Sequence, residues 1–241
     1  MKNFFKVSLS IITFSLLVAC GGGSSSPNAA SAEGFWNGTT STGYTGSIVV
    51  LENGETWGYY VLGNILYGAL YGVTVTSANS LSGSGADFNL ATRVVTQGTF
   101  SGSFREQSTI SLSTSIGTTF TGVYGTTYST PASLTTLAGV FAGQALTGKT
   151  APQAANVTIT ATGQLSIPAS LGCSTAGTVA PRSSGKNIFD LNVTFTGSSC
   201  ALGNGSTAKG ILYYDSASKQ ILAMGMNTAK TDGFIALGVK P

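Results

Sequence analysis

Apolar and polar residues alternate with a period of two through most of the chain. The clearest instance is Asn187–Thr196, where Phe189, Leu191, Val193 and Phe195 share one face and Asp190, Asn192, Thr194 and Thr196 the other. That is the pattern of a β-strand with one buried side. Ser47–Leu51 and Thr56–Val61 read as two strands joined by Glu52-Asn53-Gly54-Glu55. Asn-Gly at such a place predicts a tight hairpin whose two central residues both take positive φ. On the second strand Trp57, Tyr59 and Val61 share a face expected to be core, while Tyr60 lies on the opposite face and is expected to be exposed. Further strands are predicted near Leu66–Thr76, Ser80–Phe88, Thr96–Phe104, Ser108–Ser113 and Thr118–Tyr124.

A break follows at Ser129-Thr130-Pro131-Ala132-Ser133, and then Gly139-Val140-Phe141-Ala142-Gly143 echoes the earlier Gly34-Phe35-Trp36-Asn37-Gly38. Asn156–Thr160, a turn at Ala161–Gln164 and Leu165–Ile167 repeat the strand–turn–strand order about 105 to 110 positions along. Gly210–Tyr214 and Gln220–Met224 form a second hairpin, and Gly233–Val239 a last strand. The pattern therefore predicts an all-β protein of two antiparallel meanders, residues 34–128 and 137–241, with a linker over 129–136. Each meander has six to eight strands and closes, or nearly closes, into a small barrel. One larger sandwich is the alternative. A membrane-spanning barrel fits poorly, because its strands need ~9–11 residues and many of these are shorter.

Composition agrees with this picture. Only 8% of residues are charged and 33 are glycine, so the polar faces are built from hydroxyls rather than charges. Open sheet edges are ordinarily guarded by Lys and Glu; closing the sheets removes the edges instead. Phe100/Gly102/Phe104 and Phe120/Gly122/Tyr124 alternate large and small residues on one face, as tight curvature requires. The first half of the body carries net negative charge and the second half net positive. Either this is scattered solubilising charge, or it helps the halves dock. The charges form no runs, which argues against nucleic-acid binding.

The chain starts with a different grammar. Lys2 and Lys6 precede an uncharged stretch, Val7–Val18, that is too short to span a bilayer as a helix but long enough for a secretory signal. Leu17-Val18-Ala19-Cys20 resembles the lipobox of bacterial lipoproteins. The resemblance implies that residues 1–19 are a signal peptide and that Cys20 becomes an acylated N-terminus holding the protein to a membrane. Several acyl chains on one residue anchor durably where one does not. Gly21 stands where an Asp would signal retention at the inner membrane, which implies the outer membrane, with either face open. Residues 20–33, beginning Gly21-Gly22-Gly23-Ser24-Ser25-Ser26-Pro27, read as a flexible tether.

Lipobox, glycine-rich tether and Gly-aromatic strands together resemble the small-barrel surface lipoproteins of Gram-negative bacteria, the transferrin-binding-protein B and factor H-binding-protein families. The resemblance implies non-catalytic attachment of a protein or glycan partner at the cell surface. No binding motif of those families is present, so no binding residue is carried over. Two alternatives stand beside it: a periplasmic, lipocalin-like carrier of a small apolar ligand, and an envelope-structural or inhibitory lipoprotein.

Candidate chemistry is sparse. The chain has no histidine, which excludes Ser-His-Asp and Cys-His sites and removes the commonest acid–base catalyst at neutral pH. Glu52 and Glu55 flank the hairpin turn as solubilising charges, and Ser206-Thr207-Ala208-Lys209 sits on a loop-to-strand segment rather than at a helix start. The expectation is no enzyme, no cofactor and no metal. Cys173 and Cys200 remain after Cys20, and an even pair in an exported chain predicts a disulfide. Trp36, Tyr60, Tyr67 and Tyr71 are the candidate binding surface, since Trp and Tyr combine large contact area with a polar tip. The same aromatics can equally be core. Oligomeric state is not legible.

Overall fold

The computed structural model describes residues 30–63 and 65–241. Residues 1–29, where a signal peptide, an acylated Cys20 and most of a tether are expected, lie outside the described residues. Two closed, all-antiparallel eight-stranded barrels follow one another along the chain. In the first, β1 is Gly34–Thr40, β2 Thr45–Val50, β3 Glu55–Leu62 and β4 Ile65–Ser77. It continues with β5 Ser80–Asn89, β6 Val94–Arg105, β7 Thr109–Thr114 and β8 Thr119–Tyr124. In the second, β9 is Gly139–Thr147, β10 Gln153–Ile159, β11 Gln164–Ser170 and β12 Cys173–Pro181. Its remaining strands are β13 Ile188–Thr196, β14 Thr207–Asp215, β15 Gln220–Asn227 and β16 Gly233–Val239. Each strand pairs with its neighbour in sequence, and β8 and β16 return to close on β1 and β9.

The echoed pentapeptides occupy equivalent places. Trp36 and Phe141 each point into a barrel and are fully buried. Gly38 and Gly143 sit at the closing seams, opposite Gly122 and Gly238. A Cβ on either first-strand glycine would come within 1.9 Å of a backbone oxygen of the last strand, so no other residue permits so close a seam.

The two strand–turn–strand units also match. Leu51 N–H donates to the Glu55 carbonyl at 2.9 Å and Thr160 N–H to the Gln164 carbonyl at 2.9 Å. Gly54 and Gly163 adopt φ of 81° and 80°. Their carbonyls accept from Thr74 and Val179 of the next strand, both at 2.7 Å. The hairpin is thus present, but not as the two-residue turn expected: Gly54 alone of Asn53-Gly54 has positive φ. The Asn53 side chain instead accepts from Glu55 N–H at 3.0 Å, making a three-residue loop with glycine at the left-handed position.

The segments flanking the barrels are ordered by packing. Ala32, at the end of the expected tether, is buried in the first barrel, and its carbonyl accepts from Trp36 Nε1 at 3.0 Å. Between the barrels, Tyr128 is buried and donates to Glu33 Oε1 at 3.1 Å. Within the stretch read as a linker, a single helical turn α1, Leu134–Leu137, is capped by the Ser133 hydroxyl. It inserts Leu137 into the second core.

Three apolar clusters hold the molecule together. Trp36, Ile48, Leu81, Phe104, Ile110 and Phe120 fill one end of the first barrel. Phe141, Phe189, Leu191, Leu212, Tyr214 and Ile221 belong to the core of the second. The third lies between the barrels: Phe35, Val49, Trp57 and Phe88 on the outside of the first pack against Ile211, Tyr213, Leu222 and Met224 on the outside of the second. Phe35 stacks on Tyr213 with ring centroids 4.2 Å apart. One ion-pair cluster crosses at the margin, Arg182 with Glu52 at 2.9 Å, and Arg182 also pairs with Asp190 on its own barrel. Such half-exposed pairs orient more than they stabilise.

This third cluster corrects the sidedness expected for β3. Trp57 is buried, but in the junction between barrels, with half-buried Tyr59 packed against the same cluster. Tyr60, expected to be exposed, points into the first barrel. Both faces of β3 are covered, one by the lumen and one by the neighbouring barrel.

Candidate functional site

The lumen of the first barrel is not filled. Above the layer containing Trp36 and Phe104 lies a cavity of about 350 Å³, open at the end carrying the β1–β2, β3–β4, β5–β6 and β7–β8 turns. Ile48, Leu70, Leu112 and Phe120 line its lower part, and Thr40, Thr96, Thr114 and Thr118 its rim. The space lies where β5 presents Gly85 and Asp87 inward; Gly83, between them and buried Leu81, is covered by the Phe100 ring. Gly72 and Gly98, directly opposite Gly85 on β4 and β6, add no bulk from either side.

Polar chemistry concentrates at one point of the wall. Tyr60 donates to Asp87 Oδ1 at 2.9 Å, with Oδ2 at 3.2 Å. Asp87 is the only charged side chain lining the cavity among the described residues. Burial pushes its carboxyl above the usual range, and the Tyr60 hydrogen bond partly opposes that. Burial, then the neighbouring carboxylate, drive the Tyr60 phenol far above its ordinary value, so it stays a donor. The ring of Tyr60 lies over Gly68: a Cβ there would fall 2.1 Å from the ring. Gly68 therefore makes room for the pair.

A bulge sits beside it. Tyr60 pairs with Gly68 and Val61 with Leu66, so the register skips Tyr67. Bulges at barrel rims re-aim side chains, and here the Tyr67 ring packs on Tyr44, centroids 5.3 Å apart, while Tyr44 meets Tyr60 edge-on at 5.2 Å. Tyr44 and Tyr60 thus form a partial collar at the cavity mouth, backed by Tyr67 on Tyr44.

The four aromatics singled out from sequence scatter accordingly. Tyr60 lines the mouth, and Tyr67 packs on its neighbour Tyr44 without lining the cavity. Trp36 is fully buried at the closed end and offers no surface, because the first residues of the body fold back over it. Tyr71 sits at the junction of the barrels, donating to Glu55 Oε1 at 2.9 Å and holding Lys230, which bonds its hydroxyl and lies 4.8 Å from the ring centroid. Tyr44 and Asp87 were missed. Asp87 was detectable in principle, as a charged residue in phase with buried Leu81 on a predicted strand.

The second barrel carries a smaller void of about 120 Å³, beneath the loop 197–206. Cys173 and Cys200 are disulfide-bonded there, and Cys200 and Leu202 pack on the core. No group of three Cys, Asp or Glu side chains gathers to hold a metal among the described residues. Fold and cavity define the class: a tandem pair of closed eight-stranded barrels, one hollow and one filled. No protein-family model, curated protein or solved structure matches the chain.

Proposed function

We propose that the protein is a lipid-anchored, non-catalytic binding protein of the outer membrane whose first barrel holds a small, largely apolar molecule. The second barrel and the shared core act as its scaffold. The observation that carries this reading is the cavity of about 350 Å³ with an apolar floor and a hydroxyl rim. Ligand sites are commonly ~300–1,000 Å³, apolar, with few convergent polar groups, and an eight-stranded barrel is just wide enough for one small ligand. The absence of histidine from the sequence weighs against acid–base chemistry on the bound molecule, and at the mouth the phenol of the Tyr60–Asp87 pair is held protonated. Lipidation at Cys20 rests on the lipobox resemblance.

Native mass spectrometry of protein purified from its membrane tests the proposal. A retained small molecule is expected, lost in Leu112→Trp, which puts a larger ring into the cavity. The reading fails if nothing is retained and a neutral apolar dye, N-phenyl-1-naphthylamine, shows no saturable binding that Leu112→Trp abolishes. Cys20→Ser should release the protein from membranes; continued membrane association of that variant would overturn the anchor.

A second reading, attachment of a protein or glycan partner at the cell surface, is favoured by half-buried Tyr67 beside exposed Leu62 and Ile65 at the β3–β4 turn. Protease treatment of whole cells separates the two. Complete protection of the body removes surface attachment and leaves ligand holding in place.

A further inference from the structure

We infer that the molecule this cavity selects is an amphipathic amine, its apolar body on the barrel floor and its protonated amine at the mouth against Asp87. The inference rests on the ligand-holding reading above and adds the class of ligand. Its first support is an acceptor surplus. An ionised carboxylate offers about four lone-pair sites, yet both oxygens of Asp87 are served by a single donor, the Tyr60 hydroxyl. The other titratable groups of the cavity lining are Tyr44, on the loop before β2, Tyr59 and Tyr71. No tyrosine supplies positive charge, and no ion pair to Asp87 exists among the described residues. A half-buried carboxylate without a counter-charge is costly, and a cationic head entering the mouth removes that cost. A neutral head removes less of it, and an anionic one adds to it.

The second support is independent of Asp87. The faces of aromatic rings attract cations through their quadrupoles, and Tyr44 and Tyr60 place two such rings at the mouth, centroids 5.2 Å apart, with Tyr67 packed on Tyr44 at 5.3 Å. Carboxylate and collar together favour an ammonium group over a hydroxyl or a carboxyl. Below them, Ile48, Leu70, Leu112 and Phe120 offer only apolar contact. The site thus reads one charged end and one greasy end, in that order from the mouth inward.

Calorimetric titration of the purified protein with octylamine, octanol and octanoate, at neutral pH, tests this. The amine is expected to bind at least about 10-fold tighter than the alcohol, the scale of a hydrogen bond to a charged partner, with octanoate weakest. Asp87→Asn should remove most of the amine's advantage, leaving the part the tyrosine rings supply, and leave the alcohol unchanged. If octanol or octanoate binds wild type as tightly as octylamine, the amine assignment is wrong while ligand holding stands. If none of the three binds, both fall. An amine preference undiminished in Asp87→Asn also overturns the assignment, and should that variant not fold, the wild-type series alone decides.

Discussion

The fifth strand of each barrel performs the same topological task with opposite consequences. β5 turns Leu81, Gly83, Gly85 and Asp87 inward; β13 turns Phe189, Leu191, Val193 and Phe195 inward, all four of them buried. The barrels share strand number, pairing order, glycine seam and second turn, so none of these decides which one is hollow. Side-chain volume on one strand largely does. The mouths differ in the same sense. β5 and β6 are joined by a four-residue turn, whereas β13 and β14 are joined by the loop 197–206, which the Cys173–Cys200 disulfide staples over the lumen. A duplicated frame has one copy kept open and the other packed and lidded.

Emptying the filled copy gives the largest expected effect. Phe189→Ala removes a fully enclosed ring and should cost about 3–5 kcal/mol, read by urea denaturation. Phe100→Ala, in the first barrel, removes a half-buried ring that already borders free space, and should cost about half as much. Equal costs would mean that the first lumen is as tightly packed as the second. The staple comes next. Replacing Cys173 and Cys200 by alanine frees a loop of 27 residues and should cost about 3–4 kcal/mol on the chain-entropy argument. Hydrogen exchange should place the lost protection around β12, β13 and the 197–206 loop. Loss concentrated in β1–β8 would show that the disulfide serves the shared core rather than the lid.

How far this contrast could be read in advance is instructive. The strands were legible, because period-two alternation survives wherever one face is buried: the predicted Ser80–Phe88, Asn187–Thr196 and Gly233–Val239 differ from β5, β13 and β16 by no more than a residue at an end. The repeat was legible through Gly34–Gly38 and Gly139–Gly143, whose glycines are fixed by the seam. Sidedness was not. Alternation separates two faces but does not label them, and here lumen and junction both exclude water, so Trp57/Tyr59 and Tyr60 could not be told apart. The cavity was invisible for a related reason. An inward glycine reads as a curvature device whether or not another side chain fills the space it leaves, and here Phe100 covers Gly83 while nothing fills the space beside Gly85.

The junction offers a smaller test, because it belongs to both barrels at once. Tyr213→Leu keeps apolar bulk on β14 but loses the stack on Phe35 and the hydrogen bond between the Tyr213 and Thr127 hydroxyls. The expected cost is about 1–2 kcal/mol, measured by thermal unfolding. If the junction is one core, the whole molecule should still melt in a single transition at a lower temperature. Two separated transitions, with only one of them shifted, would show the barrels to be independent bodies in contact.

The smallest effect isolates the hollow barrel's own peculiarity. Burial raises the Asp87 carboxyl in the folded state above its ordinary value, so between those two values the native state holds a proton that the unfolded chain has released. Unfolding stability then falls as pH rises through that window, and above it the ionised Asp87 is a net cost that the Tyr60 hydrogen bond only partly offsets. Asp87→Asn removes the titration while keeping a group that can accept from Tyr60. Subtracting the variant's pH profile from that of wild type should leave a curve in which wild type gains on the variant as the solution is acidified through that window. It should be flat above the raised folded value and again below the ordinary one. The opposite slope, wild type losing ground on acidification, would mean that Asp87 has a cationic partner in the folded protein. In that case the mouth of the first barrel already carries its own counter-charge and has no call for a ligand's.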